Sequence, residues 1–170
     1  MRSPSRSGRA SLKEYCALSM IGALMFVLKV ALSFLPNIHM GAVLIVLTAV
    51  LFGWRCMYSI AIYIMLEGLI YGFGIWWISY LYAWPLLGAV CVLMRKNESA
   101  FLWAIVTGVF GLSFGALCAI PYYFIGGWNM ALSYWLGGIP FDLMHCIGNF
   151  VLTLVLFKPM VRAMRYALKK

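Results

Sequence analysis

The ionised side chains of this chain gather in four short clusters, separated by apolar runs long enough to cross a bilayer. The basic members are Arg2, Arg6, Arg9 and Lys13 at the start, then Arg55, then Arg95 and Lys96, and finally Lys158, Arg162, Arg165, Lys169 and Lys170. Only Lys29, Glu67 and Asp142 fall inside the apolar runs. The clusters dictate how such a chain threads a membrane. The three interior groups are the first candidates for function, because an ionisable group in lipid is costly unless it is paired or lines a polar cavity.

With 65% hydrophobic and 10% charged residues, the chain carries more apolar surface than a soluble core of this size can hide. It reads as an integral membrane protein of one domain. The net charge of +9 does not point to nucleic acid, since the basic residues flank apolar runs and form no patch interleaved with aromatics. They are anchors for the cytoplasmic face of the bilayer and its anionic lipids. Cys16, Cys56, Cys91, Cys118 and Cys146 form no CxxC pair, so neither a disulfide framework nor a zinc site is expected. The basic start before an apolar run has the look of a signal peptide. The run over 12–35 is longer than the usual ~7–15-residue apolar core of one, which favours a retained first helix.

Six helices are expected, over about 12–35, 41–52, 56–71, 76–94, 100–124 and 140–157. Pro36-Asn37 stops the first, Gly72 and Gly74 the third, and Gly126-Gly127 the fifth, while Pro85 is a kink site in the fourth. A short stretch, 130–136, precedes the sixth and is set off by Gly137-Gly138, with Pro140 in the first turn. The second helix is short: at ~1.5 Å per residue it covers only ~18 Å. Alternate loops carry the basic residues, which places both termini in the cytoplasm. The chain then divides into a disordered basic tail (1–11), a six-helix transmembrane domain (12–160) and a basic C-terminal tail (161–170).

In this threading Lys29, Glu67 and Asp142 all lie in the outer half, with Lys29 ~10 Å below the outer end of its helix. Asp142, His145 and Asn149 repeat at i, i+3, i+7 and share a helix face. A position near a helix N-terminus would favour the Asp142 carboxylate. The outer loops are rich in aromatics and glycines, including Tyr71, Trp77, Tyr80 and Trp84, the last three again at i, i+3, i+7. A polar cavity open to the outside, with Asn37 and His39 in its lid, is one reading. A structural polar seam under an interfacial aromatic belt is the other. No HExxH, nucleophile elbow or P-loop occurs, so neither catalysis nor a bound metal or cofactor is expected.

Several stretches carry a family likeness: Leu35-Pro36-Asn37, Tyr71-Gly72, Tyr80-Leu81-Tyr82-Ala83-Trp84-Pro85, Gly138-Ile139-Pro140-Phe141-Asp142-Leu143-Met144-His145, Gly148-Asn149-Phe150 and Lys158-Pro159. The chain resembles the substrate-binding S components of energy-coupling factor (ECF) vitamin transporters, and within them the cobalamin-type members most. The resemblance implies a six-helix bundle that binds a vitamin from the outside, under the three outer loops. It also implies a transmembrane T component and two cytoplasmic ATPase subunits as partners. Docking on the T component in that family uses small residues on the first helix. Here Ser19, Gly22 and Ala23 stand in a degenerate form of the pattern. An MreD-like structural membrane scaffold, or a standalone transporter with Asp142 and His145 as a proton relay, are the alternatives.

Overall fold

The computed structural model describes residues 12–34 and 40–169, with side chains to residue 167. Every regular element among the described residues is helical: α1 (Leu12–Ala31), α2 (Gly41–Phe52), a 3-10 turn (Gly53–Arg55), α3 (Cys56–Tyr71), α4 (Ile75–Leu93) and α5 (Ala100–Lys169). Four stretches are long and apolar enough to cross a membrane: Leu12–Ala31, Gly41–Tyr71, Ile75–Leu93 and Ala100–Ala167. The expectation of six separate helices thus reduces to four continuous stretches, two of which are broken at glycine. Gly53 closes α2 with φ 60° and ψ −138°, a conformation that side-chain-bearing residues rarely adopt. Gly126 and Gly127 interrupt α5, the second with φ 72° and ψ −169°.

The two arms of α5, 100–125 and 128–169, lie against each other in opposite directions. Tyr122 stacks on Tyr134, Gly115 bonds Asp142, Thr107 bonds Thr153 and Trp103 meets Phe157. Helices α1 and α3 run side by side in the same direction. Arg55 pairs with Glu14 at 2.8 Å, the Ser59 hydroxyl donates to the Leu18 carbonyl at 2.7 Å, and Lys29 pairs with Glu67. α4 returns along α3, with the Trp77 indole N–H on the Ile64 carbonyl near one end and Gly88 against Ile60 nearer the other.

The short second helix is the centre of the molecule. Every residue from Gly41 to Ala49 is buried, and α1, α3, α4 and α5 all pack on it. A helix that is apolar all round belongs in a core, and one so enclosed need not match the bilayer thickness by itself. The outer helices show the reverse pattern. Phe101, Ile105, Val109 and Leu112 recur along one face of α5, and each is at least 40% exposed. Apolar exposure on that scale suits hydrocarbon as the solvent rather than water.

The structure corrects the expected start of the last helix. Gly137, Gly138 and Pro140 do not break it; the helix runs unbroken from 128 to 169. Helix-interior glycine costs only ~1 kcal/mol relative to alanine, whereas unpaired backbone groups in an apolar medium cost several. Asp142 is therefore inside a helix rather than at its N-terminus, and the macrodipole does not hold its charge. The same helix carries on past residue 160, with Val161 buried, so the basic C-terminal stretch continues the bundle.

Candidate functional site

Lys29 from α1 and Glu67 from α3 meet as an ion pair. The Glu67 side chain is fully buried and that of Lys29 is 28% exposed. Two tyrosines face the ammonium: its Nζ lies 5.2 Å from the Tyr71 ring centroid and 5.6 Å from that of Tyr80. A cation held between a carboxylate and two ring faces keeps much of the stabilisation that leaving water costs it. The pair sits in the wall of a cavity of about 450 Å³, which Trp76 and Phe114 also line. A second cavity, of about 380 Å³, adjoins it and ends on Asp142, Gly137 and Gly138. Phe114, Cys118 and Tyr134 line both.

Asp142 is 4% exposed. Its Oδ1 accepts a hydrogen bond from the Gly115 backbone N–H at 2.9 Å, and its Oδ2 accepts none among the described residues. That oxygen is sealed from solvent and stands where a Cβ of residue 115 would be, so the carboxylate serves first to hold the two arms together. The approach depends on glycine: a Cβ at Gly115 would stand in the space of the carboxylate, and one at Gly111 would come within 2.8 Å of the His145 backbone. Gly108, Gly111 and Gly115 share a face at i, i+3, i+7, and it is this bare face that lets the two arms of α5 close.

The structure separates the expected site residues into groups. Lys29, Glu67, Tyr71 and Tyr80 line the first cavity and Asp142 the second. The other two members of the aromatic stripe serve packing. The Trp77 indole N–H donates to the Ile64 carbonyl at 2.9 Å. Trp84 is fully buried and centred 5.4 Å from both Phe110 and Phe114. His145, 2% exposed, meets Phe114 edge-on at 5.0 Å. Asn149 clamps the arms, its Nδ2 donating to the Thr107 carbonyl at 3.2 Å. Asn37 and His39 lie outside the described residues.

Of the three α1 residues expected to serve docking, Ser19 is exposed and Ala23 half-buried. Gly22 is committed within the chain: a Cβ there would come within 2.6 Å of the Ser59 carbonyl. Sequence reading missed Phe114 and Cys118 as cavity residues, because a single aromatic or thiol in an apolar helix carries no signal of its own; Trp76 and Tyr134 stood only among the outer aromatics. The glycine repeat through Gly108, Gly111 and Gly115 was a legible signal, since small residues at helical spacing mark close helix approach.

These features define an all-helical chain compatible with multi-pass insertion in a membrane, holding a polar cavity among its helices. Compared with protein-family models, with curated proteins and with solved structures, the chain has no significant match.

Proposed function

We propose that this chain is the membrane-embedded substrate-binding subunit of an ECF-type importer for a vitamin or related micronutrient. In this reading it crosses the membrane six times, with both termini in the cytoplasm of a prokaryotic cell. The antiparallel arms of α5 about Gly126-Gly127, and the turn at Gly53 from α2 into α3, support the six crossings, as does the segregation of basic residues to alternate loops. ATP hydrolysis belongs to partner subunits, together with the T component on which the chain would dock through the Ser19–Ala23 face.

The observation that carries the reading is the pair of adjoining cavities joined through Phe114, Cys118 and Tyr134. They offer aromatic walls, an ion pair and the Asp142 side chain at the same end of the bundle. Their volume falls in the range of small-ligand pockets and suits a vitamin smaller than cobalamin better than a corrinoid. With Lys29 and Glu67 paired, Asp142 is the remaining carboxyl group at this end of the bundle.

The test is mass spectrometry of small molecules retained by detergent-purified protein, with thermal unfolding against a panel of cobalamin, folate, pantothenate and riboflavin. Co-purification of a T component and two ATPases is the second arm. No retained molecule, no thermal gain and no such partners would sink the proposal. One observation favours the scaffold reading instead: Lys29 and Glu67 already pair with each other within the chain. A scaffold would show neither ligand nor ATPase partners.

A further inference from the structure

At the end of the bundle away from the Lys29–Glu67 pair, a cavity of about 600 Å³ opens between the end of α4, the start of α5 and its last turns. Five cationic side chains converge on it: Arg95 and Lys96 from the α4–α5 link, and Lys158, Arg162 and Arg165 from the second arm of α5. The one carboxylate in its wall, Glu98, stands 3.6 Å from Arg165, with side chains 81% and 54% exposed. An ion pair that open to water neutralises little. The floor is apolar, with Phe157 and Val161 at 3% and 7% exposure.

Two features make this more than a scatter of surface charge. Lys158, Arg162 and Arg165 recur at i, i+4, i+7, so one helix face presents all three. Arg95 reaches over Gly53, where a Cβ would collide with its guanidinium; a side-chain-free position at the end of α2 is what lets it lie there. All five side chains are exposed, so water screens their mutual repulsion, and the concavity presents a set of cationic donors of one sign that an anion can meet. The site also lies at membrane depth for a headgroup. Lys158 is roughly 24 Å along the helix from Asp142 at ~1.5 Å per residue, close to a hydrocarbon thickness of ~30 Å. In the chain flanking the Arg95–Glu98 link, Leu93 is 77% exposed and Phe101 59% exposed, apolar surface that acyl chains can cover.

We propose that this cavity is a phosphate-binding site that takes the headgroup of an anionic phospholipid. Guanidinium groups chelate phosphate oxygens by paired N–H donors, and the ammonium of Lys158 adds a point charge. The lipid tail lies along the exposed apolar face next to the mouth. The proposal is independent of what the cavity at the other end binds.

The test uses the full chain in detergent, delipidated and then given phosphatidylglycerol or phosphatidylcholine, with bound lipid read by native mass spectrometry. Phosphatidylglycerol is expected to bind in preference, and Lys158→Gln with Arg162→Gln to weaken it by about tenfold or more. Lys158→Gln alone weakens binding as well, whereas Lys13→Gln, the same single charge loss outside the cavity lining, leaves it unchanged. The charge-conserving pair Lys158→Arg with Arg162→Lys restores at least part of it and guards against a misfolded double variant. Equal loss from Lys13→Gln, or no preference between the two lipids, overturns the proposal. A titration with inorganic phosphate separates the sources. Competition by phosphate alone, at concentrations matching the lipid, keeps the phosphate site and overturns its assignment to a lipid.

Discussion

The Asp142 carboxylate rests on the bare backbone of Gly115, with Oδ1 2.9 Å from the glycine N–H. The contact joins the two arms of α5 and leaves Oδ2 buried against Gly115, with Asp142 in the wall of the second cavity. A Cβ at position 115 would take the space of that carboxylate. Gly115→Ala is therefore expected to lower stability by ~1–3 kcal/mol, the usual cost of overpacking. Thermal unfolding in detergent reads this, and an unchanged midpoint would show that the arms part without penalty.

Lys29 and Glu67 depend on each other. Removing one partner of a buried pair leaves an uncompensated charge, at a cost of ~3–5 kcal/mol, whereas replacing both with apolar groups of similar size is near neutral. Lys29→Met and Glu67→Leu are each expected to destabilise strongly, and the double variant to recover most of the loss. If the double variant were as unstable as the sum of the singles, the pair would not be the reason these residues matter.

Binding and assembly are separable. Asp142→Ala is expected to weaken vitamin retention while a T component and two ATPases still co-purify. Ser19→Leu with Ala23→Leu should do the reverse, because Ser19 is exposed and Ala23 only half-buried, so neither substitution disturbs the core. Normal ligand retention by Asp142→Ala would move the site away from the second arm of α5.

The crossings can be counted by labelling. In a background with the native cysteines replaced, Trp128→Cys is expected to react with a membrane-impermeant maleimide on intact cells. Lys96→Cys is expected to react only after the membrane is opened. Both positions are exposed. Labelling of both from the same side would rule out a crossing between them.

Gly53 is expected to tolerate no side chain. Its positive φ costs other residues ~1–2 kcal/mol, and Arg95 fills the space a Cβ would need. Gly53→Ala should lower the thermal midpoint and weaken retention of anionic lipid together, since both depend on Arg95 lying where it does.

Much of this was legible along the chain. Apolar runs of helical length, glycines at 72 and 126–127, and the three interior charges marked out the helices and part of the cavity wall, because hydrophobicity and backbone freedom are local properties; the turn at Gly53 was not read. The i, i+3, i+7 repeat of Asp142, His145 and Asn149 was also correct as a face: all three are buried. What that face meets was not legible. Asp142 turns to a glycine, His145 to Phe114 and Asn149 to Thr107, and no spacing within one helix names its partner on another.

The helical type of the described elements came from the sequence alone, since a helix is decided by its own residues and the medium around it, while their number and the start of the last one did not. The burial of α2 at the centre, the choice of Glu67 rather than Asp142 for Lys29, and the convergence of Arg95 with Lys158 and Arg162 were decided only in three dimensions. Those depend on which helices are neighbours, and packing against a partner far along the chain has no local trace. The unbroken helix through Gly137, Gly138 and Pro140 shows the balance most directly. Local propensity argued for a stop there, and the cost of unpaired backbone away from water outweighed it.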